Sequence, residues 1–118
     1  GKLHPNVARL YFEIGQSQII MGQTNNAMKS LVASLAINKI IFGKKSDQVA
    51  EVYFSIAKIY DTNGEHGKAL GVYKKLIHST SRFGELDMDK VEILQRIGQL
   101  HHVMGNLNDA IEAYSDTL

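Results

Sequence analysis

The sequence predicts an all-α chain folded as an array of three helix hairpins. Three observations carry that expectation. The chain repeats itself at a spacing of about 42 residues. Its apolar residues recur at three- and four-residue steps, which is helical period rather than strand alternation. Glycines fall at matching places midway through each repeat, where one helix must stop and the next begin.

The repeat emerges when the chain is shifted against itself by 42 residues. Gly1, Lys2, Val7, Ala8, Tyr11, Phe12, Ile14, Gly22 and Ala27 then meet identical residues, nine of the 35 pairs from Gly1/Gly43 to Leu35/Ile77. Average composition gives about two. A further shift of 41 carries Ile56 to Ile97, Gly64 to Gly105 and Ala69 to Ala110. The expected units are 1–42, 43–83 and 84–118, one continuous array with no linker or low-complexity stretch.

The first helix of each unit is read from Val7, Leu10, Tyr11, Ile14 and Gln18. Their counterparts are Val49, Val52, Tyr53, Ile56 and Tyr60, then Ile93, Leu94, Ile97 and His101. Pro5 suits a first turn, where no backbone donor is missed. Ser46 and Asp87 are N-cap candidates. Gly22, Gly64 and Gly105 end these helices. The second helix is read from Ala27, Met28, Leu31 and Leu35, then Ala69, Leu70, Tyr73 and Ile77, then Ala110, Ile111, Tyr114 and Leu118. The expected helices are 5–21, 24–42, 47–63, 66–83, 87–104 and 107–118. Met28, Met104, Tyr73 and Tyr114 share the packing phase, and Tyr11 and Tyr53 are the expected core aromatics.

Composition removes several function classes. Thirteen Lys and Arg against twelve Asp and Glu leave a net charge of +1, no basic field for nucleic acid or an anionic membrane surface. Without cysteine there is no disulfide, thiolate metal site or cysteine nucleophile. No apolar run approaches a membrane span, and no leader opens the chain, which reads as a mature or internal segment. No His-Glu-x-x-His, Gly-x-Ser-x-Gly or P-loop spacing occurs, so no enzyme activity, metal or cofactor is expected. His101 and His102 are adjacent and point about 100° apart on a helix. His101 stands where a packing aromatic belongs. Asp87, Asp89 and Glu92 sit in an expected first turn, where acids favour the helix dipole. Lys74 and Lys75 read as a solvated face.

The residues that recur resemble the tetratricopeptide repeat. In that pattern a bulky residue, an aliphatic, a small residue and an aromatic are followed by a glycine turn, then alanine and a further aromatic. Here the first halves read Tyr11-x-x-Ile14-Gly15-x-x-Gln18, Tyr53-x-x-Ile56-Ala57-x-x-Tyr60 and Leu94-x-x-Ile97-Gly98-x-x-His101. The second halves read Ala27-x-x-x-Leu31, Ala69-x-x-x-Tyr73 and Ala110-x-x-x-Tyr114. The long unit and the phrase Gly1-Lys-Leu-His4-Pro5-Asn-Val7-Ala8 resemble the repeats of kinesin light chains. Where those repeats tend to carry a groove-facing asparagine, this chain has Phe12, Phe54 and Gln95.

The resemblance implies a right-handed α-solenoid with the first helices lining a concave face. By that geometry the outward stripe includes Arg9, Phe12 and Gln16, then Glu51, Phe54, Lys58 and Asp61, then Gln95, Gln99 and His102. Phe12 and Phe54 are expected to face a partner, forming one apolar shelf with a polar rim. The expected function is a non-enzymatic, cytoplasmic scaffold that binds a protein or peptide partner, with neighbouring repeats of a parent chain as further contacts. Alternatives are a structural segment of a cytoskeletal or ciliary assembly, or a regulatory domain of a larger enzyme or transcription regulator.

Overall fold

The computed structural model describes residues 4–79 and 90–118. Among them run six helices: α1 (Pro5–Ile20), α2 (Thr24–Phe42), α3 (Asp47–Thr62), α4 (His66–Ser79), α5 (Lys90–Val103) and α6 (Leu107–Ser115). No strand occurs among the described residues. The expected end of the fourth helix at 83, the start of the fifth at 87, the Asp87 cap, Asp89 and the unit boundary after 83 lie outside the described residues. The helices pair as hairpins, α1 with α2, α3 with α4 and α5 with α6, and each hairpin stacks on the next through α2–α3 and α4–α5. The array is elongated, 47 × 29 × 20 Å.

Local chemistry explains where the helices start. Pro5 is the first residue of α1, and the preceding His4 caps it, its Nδ1 accepting from the Asn6 amide at 3.0 Å. Ser46 caps α3, its hydroxyl oxygen accepting from the Val49 amide at 3.2 Å. The stops are one motif used three times. Gly22, Gly64 and Gly105 have φ between 76° and 79°, a left-handed conformation that favours glycine. Each glycine amide donates three residues back, to Ile19, Asp61 and His102. Each following amide donates five back, from Gln23 to Gln18, Glu65 to Tyr60 and Asn106 to His101. This is the Schellman arrangement, and it turns the chain directly into the second helix.

Inside each hairpin the small residues set the spacing. Ala27, Ala69 and Ala110 are all buried, as are Gly15, Ala57 and Gly98 across from them. A methyl on Gly15 would lie 2.9 Å from the fully buried Leu31 side chain, and one on Gly98 would lie 2.7 Å from the Tyr114 ring. One core cluster joins α3, α4, α5 and α6 through Tyr53, Ala57, Tyr73, Leu76, Ile97, Leu100 and Ala113. A second joins α2 and α3 through Ala27, Leu31, Val52, Ile56 and Ile59. Buried polar contacts add direction: Ser34 donates to the Ala8 carbonyl at 2.8 Å, and Asn38 donates to Ser34 at 3.3 Å.

The outer faces of the array differ from the expected packing. Tyr11, with Leu10 and Ile14, is exposed, although the repeat counterparts Val52, Tyr53 and Ile56 are buried. The reason is geometric: α2 packs on the neighbouring face of α3, and among the described residues no helix packs on that face of α1. Met104 and Tyr114 are likewise exposed at the other end, Tyr114 with its ring against Gly98.

One first-helix position in each hairpin varies, and its second-helix partner varies with it. In unit one Gln18 accepts from Ser30 at 2.8 Å. In unit two the same first-helix position is Tyr60, with the Lys68 ammonium 5.7 Å from its ring centroid. In unit three it is His101, buried, with Nδ1 3.9 Å from a carboxylate oxygen of Asp109, the counterpart of Lys68.

Candidate partner-binding groove

The sequence-derived stripe lies on α1, α3 and α5, and three cavities open along it. The first, about 240 Å³, is lined by Arg9, Phe12 and Glu51 together with Asn38, Phe42 and Gln48. The second, about 360 Å³, lies between α1 and α3 and is lined by Gln16, Ile19, Ser55 and Lys58. The third, about 490 Å³, holds Phe54, Lys58, Asp61, Gln95 and Gln99, with Tyr73 of α4 and Arg96 of α5. Lys58 and Thr62 line both of the larger cavities, which are therefore neighbours along α3. His102 is exposed and lines none of the three.

The two phenylalanines depart from the expected single shelf. Phe12 and Phe54 line different cavities, and Gln16, Ser55 and Lys58 lie in the cavity between α1 and α3. Both rings are half-buried and packed against the core clusters. They therefore belong to core and groove at once. The Lys58 ammonium sits 4.6 Å from the Phe54 ring centroid and covers it in part. Arg9 is held by Glu13 one turn on, at 3.2 Å. The Gln16 side-chain amide oxygen is buried without a hydrogen-bond partner, an acceptor at the wall of the middle cavity.

The electrostatic centre of the largest cavity is a network across three helices. Arg96 of α5 grips Asp61 of α3 with both arms, Nε at 2.6 Å from one carboxylate oxygen and Nη2 on the other. Its third nitrogen donates to Gln99 at 3.1 Å. The Tyr73 hydroxyl of α4 donates to Asp61 at 3.3 Å. The Arg96 hydrogen bonds hold the Asp61 carboxyl below its ordinary value, against the opposing effect of burial. Burial, with the nearby Asp61 charge, pushes the Tyr73 phenol up to about 12. The Asp61 contact raises the Arg96 guanidinium in turn. Asp61 belongs to the stripe; Arg96 does not. It stands one position past Gln95, and its counterparts Glu13 and Ser55 carry no positive charge, so the repeat pattern held no signal for it. Tyr73 lies on the packing phase and is buried, but its hydroxyl reaches the groove.

What these elements define is an α-helical repeat protein whose first helices present a polar groove with aromatic patches. The chain belongs to the tetratricopeptide repeat family, whose model matches residues 8–40 and 50–78. No curated protein gives a match. The fold resembles the crystal structure of BtubC (BKLC) from P. vanneervenii with a TM-score of 0.80 and 16% identity, covering 98% of this chain and 47% of that one. Two crystal structures of MamA are also similar, each with a TM-score of 0.71 and 23% identity. They cover 93% and 94% of this chain and 56% and 52% of theirs. The chain thus spans about half the length of these solved chains. Among the described residues no helix is long and apolar enough to cross a membrane, and no group of three His, Cys, Asp or Glu is placed to hold a metal ion.

Proposed function

We propose that the chain is a non-enzymatic scaffold that binds a segment of a partner protein along α1, α3 and α5. The family supports the general role, since tetratricopeptide repeats generally mediate protein–protein contacts. The observation that carries the finer reading is the alignment of three cavities along one helix face, lined by nine of the ten stripe residues. Phe54, half-buried with polar neighbours around it, has the form of a binding hot spot. The asparagines that would grip an extended backbone are replaced by Phe12, Phe54 and Gln95, so the groove suits side chains of a helix or a leucine-bearing segment.

The test is affinity capture with the wild-type chain and with Phe54→Ala, followed by mass spectrometry and titration of the recovered partner. The expected loss is about 30-fold in affinity, the scale of a hot spot. An identical set of partners bound equally well by both forms would defeat the reading.

A further inference from the structure

A fourth cavity lies away from the groove and shares no residue with it. It measures about 360 Å³ and sits between α4, α5 and α6. Its two long walls differ in charge. Asp109 and Glu112 of α6 and its C-cap Asp116 line one side, spaced three and four residues apart and so on one face. Lys74 and His78 line the α4 side, and Ile77 and Ile97 supply apolar surface between them.

Repeat geometry does not require this acidic wall. The counterparts of Asp109, Glu112 and Asp116 in unit two are Lys68, Gly71 and Lys75, and in unit one Asn26, Lys29 and Ala33. The sign of the charge is reversed in unit three alone. None of the three carboxylates is ion-paired with a lysine or arginine among the described residues.

A second observation points the same way. His101, only 4% exposed, lines this cavity, and its Nδ1 is buried without a hydrogen-bond partner. Leaving such an atom unmade is costly. Its nearest acid is Asp109, at 3.9 Å, too far for a hydrogen bond. The Asp109 side chain is 60% exposed and has room to rotate. Two N–H groups of one cationic nitrogen, one directed at each atom, would satisfy both at once.

We infer that this cavity is a binding site for a single basic side chain, arginine or lysine, carried by a protein partner. The carboxylates of α6 take the charged head, and Ile77 and Ile97 take the alkyl stem, as long basic side chains require. Lys74 on the opposite wall disfavours a polybasic run, so the site selects an isolated basic residue. The proposal does not depend on the groove reading.

The test is an amide-shift titration of the ¹⁵N-labelled chain with the capped tripeptides Gly-Arg-Gly and Gly-Lys-Gly, and with Gly-Glu-Gly as control. The basic peptides should move resonances of residues 74–78, 97–101 and 109–116, and the acidic one should not. The double variant Asp109→Asn, Asp116→Asn, checked for unchanged helical signal, should bind about five- to ten-fold more weakly, the scale of partly exposed ion pairs. Arg9→Ala, at an exposed groove residue outside both core clusters, should leave the shifts as they are, which separates this site from the groove. No localised shift at millimolar peptide would overturn the assignment. So would undiminished affinity in the double variant, or shifts produced by calcium alone and not by peptide.

Discussion

The Asp61–Arg96 pair is the sharpest point at which to perturb the array, because it fastens α3 to α5 across two hairpins. Arg96→Met keeps most of the alkyl stem and removes the guanidinium. It deletes two charge-assisted hydrogen bonds to Asp61 and leaves that carboxylate with Tyr73 alone. A charged hydrogen bond contributes about 1.5–3 kcal/mol, and breaking a fully buried pair costs about 3–5 kcal/mol. Here the side chains keep 34% and 16% of their exposure, so water recovers part of the loss. The expected cost is about 2 kcal/mol at neutral pH. The pH dependence adds a second condition. The Asp61 carboxyl is depressed in the folded chain below its ordinary 3.8. Its stabilisation is fully present above that value and is lost as pH falls through the lower folded value. The gap between wild type and Arg96→Met should therefore close in strongly acidic solution. Urea unfolding followed by circular dichroism, at neutral pH and stepwise down to about pH 2, measures both quantities. A cost below about 0.5 kcal/mol, or a gap that stays constant on acidification, would refute the argument.

Further outcomes follow from the packing. Ala69→Leu, at a fully buried hairpin contact, should cost about 1–3 kcal/mol by overpacking, read from the urea midpoint. Gly15→Ala and Gly98→Ala should differ in sign: Leu31 beside Gly15 is fully buried and has no room to yield, whereas unit two already places Ala57 in the position of Gly98 with Tyr73 in that of Tyr114. Thermal melts should show Gly15→Ala lowered and Gly98→Ala raised, the latter by up to about 1 kcal/mol of helix propensity. Ser34→Ala removes a buried donor to the Ala8 carbonyl and the acceptor for Asn38, and should cost about 1–2 kcal/mol in the same assay.

Helices and turns were legible in the sequence because both rest on local rules. Gly22, Gly64 and Gly105 mark a left-handed turn that other residues rarely adopt, and Ala27, Ala69 and Ala110 mark a contact with no room for more. Repetition raised each of these signals threefold. The groove was legible as a phase, which placed Phe54, Lys58 and Asp61 together, but not as a set of partners. Arg96 meets Asp61 from 35 residues away, and only the stacking of hairpins brings them into reach. The same limit explains Tyr11, Leu10 and Ile14. Periodicity says which face of a helix is apolar; it does not say whether another helix covers that face.

The paired variation at the hairpin seam bears on how an array of similar units avoids assembling in the wrong order. Any first helix has nearly the right shape to accept any second helix, so swapped pairings compete during folding. Gln18 with Ser30, Tyr60 with Lys68, and His101 with Asp109 act as three different keys. Pairing α5 with α4 as a hairpin, in place of α6, would set His101 beside Lys68 where Asp109 belongs. Docking α3 on α6 would take the cation from the Tyr60 ring and set a carboxylate over its electron-rich face. Each mismatch forfeits on the order of 1 kcal/mol at one contact. Such a discrimination is small for a single site, yet it acts at every seam, and it favours the neighbour that follows next along the chain.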